Sequence, residues 1–363
     1  MKRALFLLLF AGNVFAGTTV VLMPLDNVSG EQAVPVQLQP LIVKAVEAKG
    51  WRVTAGEEIE TLLEQRRVRY LDSLEKNVRD SILEKSGASA ILMVTVYKYA
   101  QSRNSTVALS AHLIDGDGTI VWANIAGVAS SDTERALGFG KKESVSDVAG
   151  DAVDELFRTL PSGGQRPRLS RGKVDRRGRL SSTGSIPVHS PIAILPFEND
   201  TRVSDAPRVL ADSFALRLAA AGFQVVDPAV LRAAALQAGV SFQDLPALAK
   251  IIGTPLFLRG TIYSFVESGN TPSIDIEATL VDAEAGKVLW AAQNNRKGTD
   301  YIGFLMLGAV SNGISLTDRV AAEMAATARN TNERSNRPAD RAALAANRGK
   351  SRQHLAGAGE SER

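Results

Sequence analysis

The sequence has 363 residues, 45% of them apolar and 22% charged, with a formal net charge of +3. This length exceeds that of one ordinary domain, and the composition is typical of folded globular protein rather than of a disordered chain. No cysteine is present, which excludes a disulfide framework, a thiolate nucleophile and a cysteine-ligated metal.

A secretory signal peptide is predicted at residues 1–16. Lys2 and Arg3 precede an apolar run over residues 4–11, and the following VFA (14–16) ends in a small residue, after which cleavage is expected. The run is about half of the ~20 residues that a membrane-spanning helix needs, so a retained anchor is the less favoured alternative. No later segment is long and apolar enough to span a bilayer. We therefore expect a periplasmic protein, with a peripheral position at the outer membrane left open.

Two long stretches of the sequence match each other in order, which indicates a duplicated domain. The matching pairs, first copy before second, are VVLMPLDN (20–27) with IAILPFEN (192–199), GWRV (50–53) with GFQV (222–225), GASAILMVTVY (87–97) with GTPLFLRGTIY (253–263), and the hairpins of residues 113–122 and 280–290.

The second copy shows the predicted elements most clearly. A buried strand over residues 192–195 is followed by a helix that Asp205 caps and Gly222 ends. A second strand leads to Asp227-Pro228, where a further helix begins because proline is tolerated at the first helical position. A third helix, a long strand, a hairpin and a closing helix over residues 315–328 complete the unit. The order β-α-β-α-α-β-β-β-α predicts an α/β fold class, a two-layer sandwich with a mixed sheet and helices, present as two tandem repeats.

The predicted boundaries are residues 17–160 for the first domain, 161–190 for a basic flexible linker, 191–329 for the second domain and 330–363 for a disordered tail. The linker is a candidate contact for an anionic envelope surface, although a solvated tether is the favoured alternative. Nucleic acid is not expected as a partner, because the chain is predicted to be secreted and no aromatic residues interleave for stacking. The linker cations are Arg166, Arg168, Arg171, Lys173, Arg176, Arg177 and Arg179.

The sequence shows no catalytic, cofactor-binding or metal-binding set. His112 lies at an alternating position of a predicted strand over residues 106–114 and is expected to be structural. Residues 115–118 (DGDG) faintly resemble a calcium loop, but the later ligand positions lack oxygen donors, so a hairpin turn is predicted. The loops at residues 26–27 and 198–201 follow the first strands, where ligands often bind, yet turn chemistry is the favoured interpretation.

Two apolar loops precede the closing helices and are candidate partner interfaces, although packing onto the sheet is the favoured alternative. The candidate interface residues are Phe304, Leu305, Met306 and Leu307 in the second copy and Phe139 in the first.

The segments ILPFEN, GFQV, LFLRGTIY, LVDAEAGKVLWAA and SLTDRVAAEM together resemble the curli-secretion CsgG-like superfamily. That superfamily is similar in fold to the amino-terminal domain of the Tol-system β-propeller protein and to lipoprotein activators of penicillin-binding proteins. The resemblance covers most of residues 191–328 and, more loosely, 18–160. It implies a periplasmic domain that assembles with copies of itself or docks onto an envelope machine.

Two features depart from that superfamily. The connection over residues 265–272 is too short to add membrane-spanning strands, so no transmembrane pore is expected. The lipid-attachment cysteine is also missing.

We therefore expect a non-enzymatic periplasmic scaffold or accessory protein of a secretion, surface-fibre export or cell-wall synthesis complex. Its expected partners are envelope proteins or further copies of itself. The alternative is a periplasmic small-ligand-binding protein that uses the cleft between the domains, which requires convergent polar residues that the sequence does not reveal. A hydrolase would need two positioned acids, which the sequence cannot pair.

Overall fold

The computed structural model describes residues 19–66, 68, 71, 74–102, 104–133, 144–163, 179–182, 186–187, 190–267, 271–302 and 309–335. These residues form two similar units in tandem, each a mixed sheet with helices. The predicted fold class is thereby confirmed.

The first unit contains six strands and four helices. Its sheet has the order β3-β1-β4-β5-β6, and β2 pairs with β4. Strands β3, β1 and β4 are parallel, whereas β4, β5 and β6 form antiparallel hairpins. The elements are β1 (Thr19–Leu22), β2 (Asp26–Asn27), α1 (Val34–Glu47), β3 (Arg52–Thr54), α2 (Glu57–Gln65), α3 (Lys76–Ser86), β4 (Ala90–Ala100), β5 (Thr106–Ile114), β6 (Ile120–Ala129) and α4 (Val145–Phe157).

The second unit repeats this arrangement with one added edge strand. Its sheet has the order β10-β8-β11-β12-β13-β7, and β9 pairs with β11. The elements are β7 (Arg179–Ser182), β8 (Ile192–Ile194), β9 (Glu198–Asn199), α5 (Ala206–Ala220), β10 (Val225–Val226), α6 (Pro228–Ala238), α7 (Leu245–Ile252), β11 (Leu256–Val266), β12 (Ser273–Asp282), β13 (Lys287–Lys297) and α8 (Gly313–Ser335).

Two elements extend beyond the predicted second domain. Strand β7 lies inside the stretch predicted as a linker and pairs with β13, and α8 continues through the first six residues of the predicted tail. The predicted domain boundaries otherwise stay predictions.

The local signals explain where the helices of the second unit begin and end. Asp227 lies before α6, and its carboxylate accepts a hydrogen bond from the backbone N–H of Ala229 at 2.8 Å. Pro228 is the first helical residue, as predicted. Helix α7 ends at Gly253, whose φ of 76° is the left-handed conformation that glycine adopts at low cost.

Helices α1 and α5 bury the same face against their own sheets. Residues four apart line that face, which is the spacing of one side of an α-helix. The buried positions are Val34, Leu38, Ile42 and Val46 on α1, and Ala206, Leu210, Phe214 and Leu218 on α5.

The turn after the first strand is also the same in the two units. The side-chain oxygen of Asn27 accepts from the backbone and hydroxyl of Ser29, and that of Asn199 accepts from the backbone and hydroxyl of Thr201. Each asparagine also donates to a carbonyl four residues later. These two loops therefore have the predicted turn chemistry.

The units are stacked so that α5 and α8 lie between the two sheets. Both helices pack on the second sheet and also contact β6 of the first. All nine residues of β5 are buried, because α4 covers one face of the first sheet and the second unit covers the other. In contrast, every second residue from Ile274 to Leu280 of β12 is buried, so the far face of the second sheet is only partly covered.

Candidate functional site

The interface between the units joins the first sheet to α5 and α8. Tyr97 and Ile125 of the first sheet pack with Val209 and Leu216 of α5 and Ile314 of α8 in one apolar cluster. The same interface contains oppositely charged side-chain pairs, so it combines a hydrophobic part with paired charges.

Two glycines of the first unit allow the close approach. The carbonyl of Gly127 accepts from the Ser315 hydroxyl at 3.1 Å, and a Cβ at Gly127 would lie 2.5 Å from that hydroxyl. Gly118 has a φ of 82°, and its carbonyl accepts from the backbone N–H of Asp227 at 3.1 Å. A Cβ at Gly118 would lie 2.8 Å from a methyl of Val230. A larger residue at either position would crowd these contacts and lower the stability of the packing between the units.

Several polar side-chain pairs cross the interface, and three of them involve helix α5 or the start of α6. The Arg208 guanidinium contacts the carboxylate of Asp26 and donates to the Thr95 hydroxyl at 3.4 Å. The Tyr97 hydroxyl donates to the carboxylate of Asp212. Nε2 of His112 lies 2.8 Å from Oδ2 of Asp227.

His112 and Asp227 are both buried, and their close contact is an ion pair when the imidazole is protonated. Burial opposes the charged form of His112, but the Asp227 carboxylate outweighs burial, so the pKa of His112 is raised. Burial alone would raise the pKa of Asp227, whereas His112 and two backbone N–H groups lower it, and the net pKa is lowered. Both shifts favour the charged pair.

The pKa values of the neighbouring pair, Tyr97 and Asp212, are both raised. Burial raises the pKa of Asp212, even though Arg208 and His112 lie close enough to oppose this effect. Burial and the Asp212 carboxylate together raise the pKa of Tyr97 well above its ordinary value. The Tyr97 hydroxyl therefore keeps its proton and donates a hydrogen bond to Asp212.

A cavity of about 450 Å³ opens beside these pairs, and we call it the inter-unit cavity. Its polar lining includes Thr95 and His112 from the first unit and Arg208, Asp212, Asp227 and Arg232 from the second. Convergent polar residues, which the sequence did not reveal, are therefore present in the cleft between the units.

The residues predicted as candidate sites lie mostly outside the described part of the chain. The apolar loop residues Phe304, Leu305, Met306, Leu307 and Phe139 and the linker cations Arg166, Arg168, Arg171, Lys173, Arg176 and Arg177 are all in this group, and of Arg179 only the backbone, in β7, is described. Their predicted roles stay predictions.

The other predicted features are described. The strand containing His112 has the predicted bounds. The Asp115 carboxylate accepts from the backbone N–H groups of Asp117 and Thr119, and Asp282 does the same for Glu284 and Ala285, so both segments are hairpin turns. Within the described ranges, no three histidine or acidic side chains are grouped to hold a metal ion.

The sequence did not reveal Arg208 and Asp212 as site residues. It also did not reveal that Asp227, besides capping α6, contacts His112. Arg208 and Asp212 are four residues apart, away from the core positions of α5, which places them together on another face of the helix. A second signal was the contrast between β5, where apolar residues fill consecutive positions, and β12, where polar and apolar residues alternate. That contrast indicates that only the first sheet is covered on both faces in the region of the hairpin.

The outer side of α1 is a second candidate site. The positions of Val209, Ser213 and Leu216, which α5 buries, correspond on α1 to exposed Gln37, Leu41 and Lys44. On the outer surface of α1, Val36 and Leu41 are 78% and 36% exposed, and they lie about 140° apart around the helix axis. Pro40 lies between them inside the helix. We call Val36, Pro40 and Leu41 the α1 face.

No helix in the described ranges is both long and apolar enough to cross a membrane. No protein-family model matches the sequence, and comparison with curated proteins finds no match.

Several solved structures are similar in part. The PelC dodecamer from Paraburkholderia phytofirmans has 19% identity and a TM-score of 0.32, covering 41% of this chain and 94% of that one. Lipoprotein GNA1162 from Neisseria meningitidis has 23% identity and a TM-score of 0.28, covering 30% and 82%. The LpoB C-terminal domain from Escherichia coli has 20% identity and a TM-score of 0.24, covering 31% and 87%. Likeness at this level carries no conclusion about function.

Proposed function

We propose that this chain is a non-enzymatic accessory protein of the bacterial cell envelope that binds another protein through the α1 face. One observation carries the proposal. Helix α5 of the second unit docks onto the first sheet, whereas no element in the described ranges docks onto the outer surface of α1, where Val36 and Leu41 are exposed. The predicted signal peptide supports an envelope location.

The chemistry of the partner surface follows from the contact inside the chain. Helix α5 contacts a sheet face of aromatic and aliphatic side chains, including Tyr97, Ala108 and Ile125. A partner for α1 should offer a similar face with aliphatic or aromatic groups for Val36 and Leu41. A flat, mainly apolar contact of this kind is typical of protein–protein binding.

Crosslinking in intact envelopes tests the proposal. A photo-crosslinking amino acid is placed at Lys44, an exposed position on α1 beside the α1 face. We expect one protein to be captured, and we expect Val36→Asp to reduce its yield at least about tenfold, because the charge would be buried against apolar groups.

The matched control is Val288→Asp, which changes an exposed valine on β13 instead. Capture should be unchanged in this variant. Equal yields from Val36→Asp and Val288→Asp would overturn the proposal, and so would an absence of any captured protein.

A second candidate function, small-ligand binding in the cleft, is favoured by the inter-unit cavity and its polar lining.

A further inference from the structure

The lining of the inter-unit cavity is chemically mixed. Apolar side chains from both units contribute to it, among them Met93, Ile194, Leu231 and Phe242. Charged and polar side chains also line it. The volume of about 450 Å³ lies within the range of about 300–1,000 Å³ that is usual for small-molecule sites.

The acids of this region are each engaged by a group of the protein. Asp26 pairs with Arg208, Asp212 accepts from Tyr97, and Asp227 pairs with His112. Asp205, which also lines the cavity, accepts from the Ser204 hydroxyl at 2.7 Å. The ion pairs of Asp26 and Asp227 offset part of the negative charge of these acids.

Positive groups converge on the same space. Arg208 and Arg232 both line the cavity, and the lining includes the first turns of α5 and α6. The N-terminal end of a helix of this length carries a partial positive charge. Burial lowers the pKa of Arg232, and the Asp26 carboxylate only partly offsets this effect. A further anion beside Arg232 would stabilise its charged form.

We propose that the inter-unit cavity binds a small organic anion with an apolar body, such as a medium-chain carboxylate. Its anionic group lies against Arg232 and Arg208, and its apolar part contacts Met93, Ile194 and Phe242. Guanidinium groups suit this role because they present paired donors to a carboxylate. This site deepens the second candidate function and is independent of the α1 face.

Because both units build the walls, a bound ligand would stabilise the stacked arrangement by mass action. Occupancy of the cavity would therefore raise the midpoint of thermal unfolding of the whole chain.

The test is a titration of the full chain with octanoate. Binding is measured by calorimetry, and the unfolding midpoint is measured with and without octanoate. We expect saturable binding and a rise in the unfolding midpoint. Octanol, which lacks the charge, and acetate, which lacks the apolar chain, should each bind at least about tenfold more weakly.

Substitutions then locate the site. Arg232→Gln should weaken octanoate binding about tenfold or more, while Arg232→Lys, which keeps the charge, should retain more of the affinity. Arg259→Gln removes an exposed arginine from β11, away from this cavity, and should leave binding unchanged. The unliganded unfolding midpoint of Arg232→Gln shows whether the variant is folded.

No saturable binding of octanoate would overturn the proposal. Equal affinity for octanoate and octanol would do the same, as would an Arg232→Gln variant that is folded and binds octanoate as tightly as the unchanged chain. None of these results bears on crosslinking through the α1 face.

Discussion

His112 connects the two units through a buried contact with a carboxylate. It lies on β5 of the first unit, and Asp227, its partner, is the N-cap residue of α6 in the second. Asp212 also favours the charged imidazole, whereas Arg208 opposes it. A buried pair of this kind is costly to break, because removing either charge leaves the other unpaired away from water.

The pair makes the stability of the chain depend on pH. The pKa of His112 is raised on folding, so its contribution is complete below the ordinary histidine value of about 6.5 and is lost as the pH rises through the folded value. The pKa of Asp227 is lowered, so its contribution is complete above the ordinary aspartate value of about 3.9 and is lost only as the pH falls through the folded value.

We therefore expect the free energy of unfolding in urea to decrease from pH 6 to pH 9. In His112→Gln, whose side chain does not titrate, the decrease over the same range should be smaller. Parallel pH profiles for the two proteins would show that His112 does not carry the effect.

Helix α5 is the element on which the arrangement depends, because it belongs to the second unit and contacts both sheets. The sequence predicted that this helix begins after Asp205, although the Asp205 side chain makes no capping hydrogen bond. It also grouped Val209 and Leu216 with the apolar positions that face the second sheet. It could not assign the opposite face, since Val209 and Leu216 read as ordinary apolar positions until the first sheet is known to lie against them. Tertiary contact between distant segments leaves no periodic signal of its own.

The contact between β6 and α8 is tight enough for one methyl group to matter. In Gly127→Ala the new Cβ would lie 2.5 Å from the Ser315 hydroxyl and 2.6 Å from the Asn312 side chain. We expect a loss of about 1–3 kcal/mol in the free energy of unfolding, measured by denaturant titration.

Gly150→Ala is the matched control, since Gly150 lies within α4 and a Cβ there meets nothing within 4 Å. This change should be neutral or should stabilise the chain by up to about 1 kcal/mol. A smaller loss at Gly127 than at Gly150 would show that α8 is not held against β6.

At the scale of the whole molecule, two similar units have different surroundings. The first sheet is covered by its own helices and by those of the second unit, whereas the far face of the second sheet carries Arg259, Tyr263 and Gln293, which are exposed. The duplicated motifs and the order of elements in each unit could be predicted from sequence. The stacking could not, because the residues that specify it, among them Gly127 and His112 of the first unit and Asp212 of the second, differ between the two copies.

One buried cluster contains residues of both units, among them Ile114 of β5, Phe214 of α5 and Trp290 of β13. The inter-unit cavity and the uncovered α1 face both follow from this stacking, since the first is enclosed by it and the second is the helical surface that it leaves free.

The most direct measurement of the stacking is a disulfide across it, in a chain that has no cysteine of its own. The Ser315 hydroxyl lies 2.5 Å from an ideal Cβ at Gly127, which brings the two Cβ atoms close to the roughly 3.5–4.5 Å of a disulfide. Oxidised Gly127→Cys/Ser315→Cys should form an intramolecular disulfide, seen by mass spectrometry, while Gly150→Cys/Ser315→Cys should not. The stacked arrangement would be contradicted if Gly127→Cys/Ser315→Cys formed no disulfide under oxidation, or if both cysteine pairs formed a disulfide to the same extent.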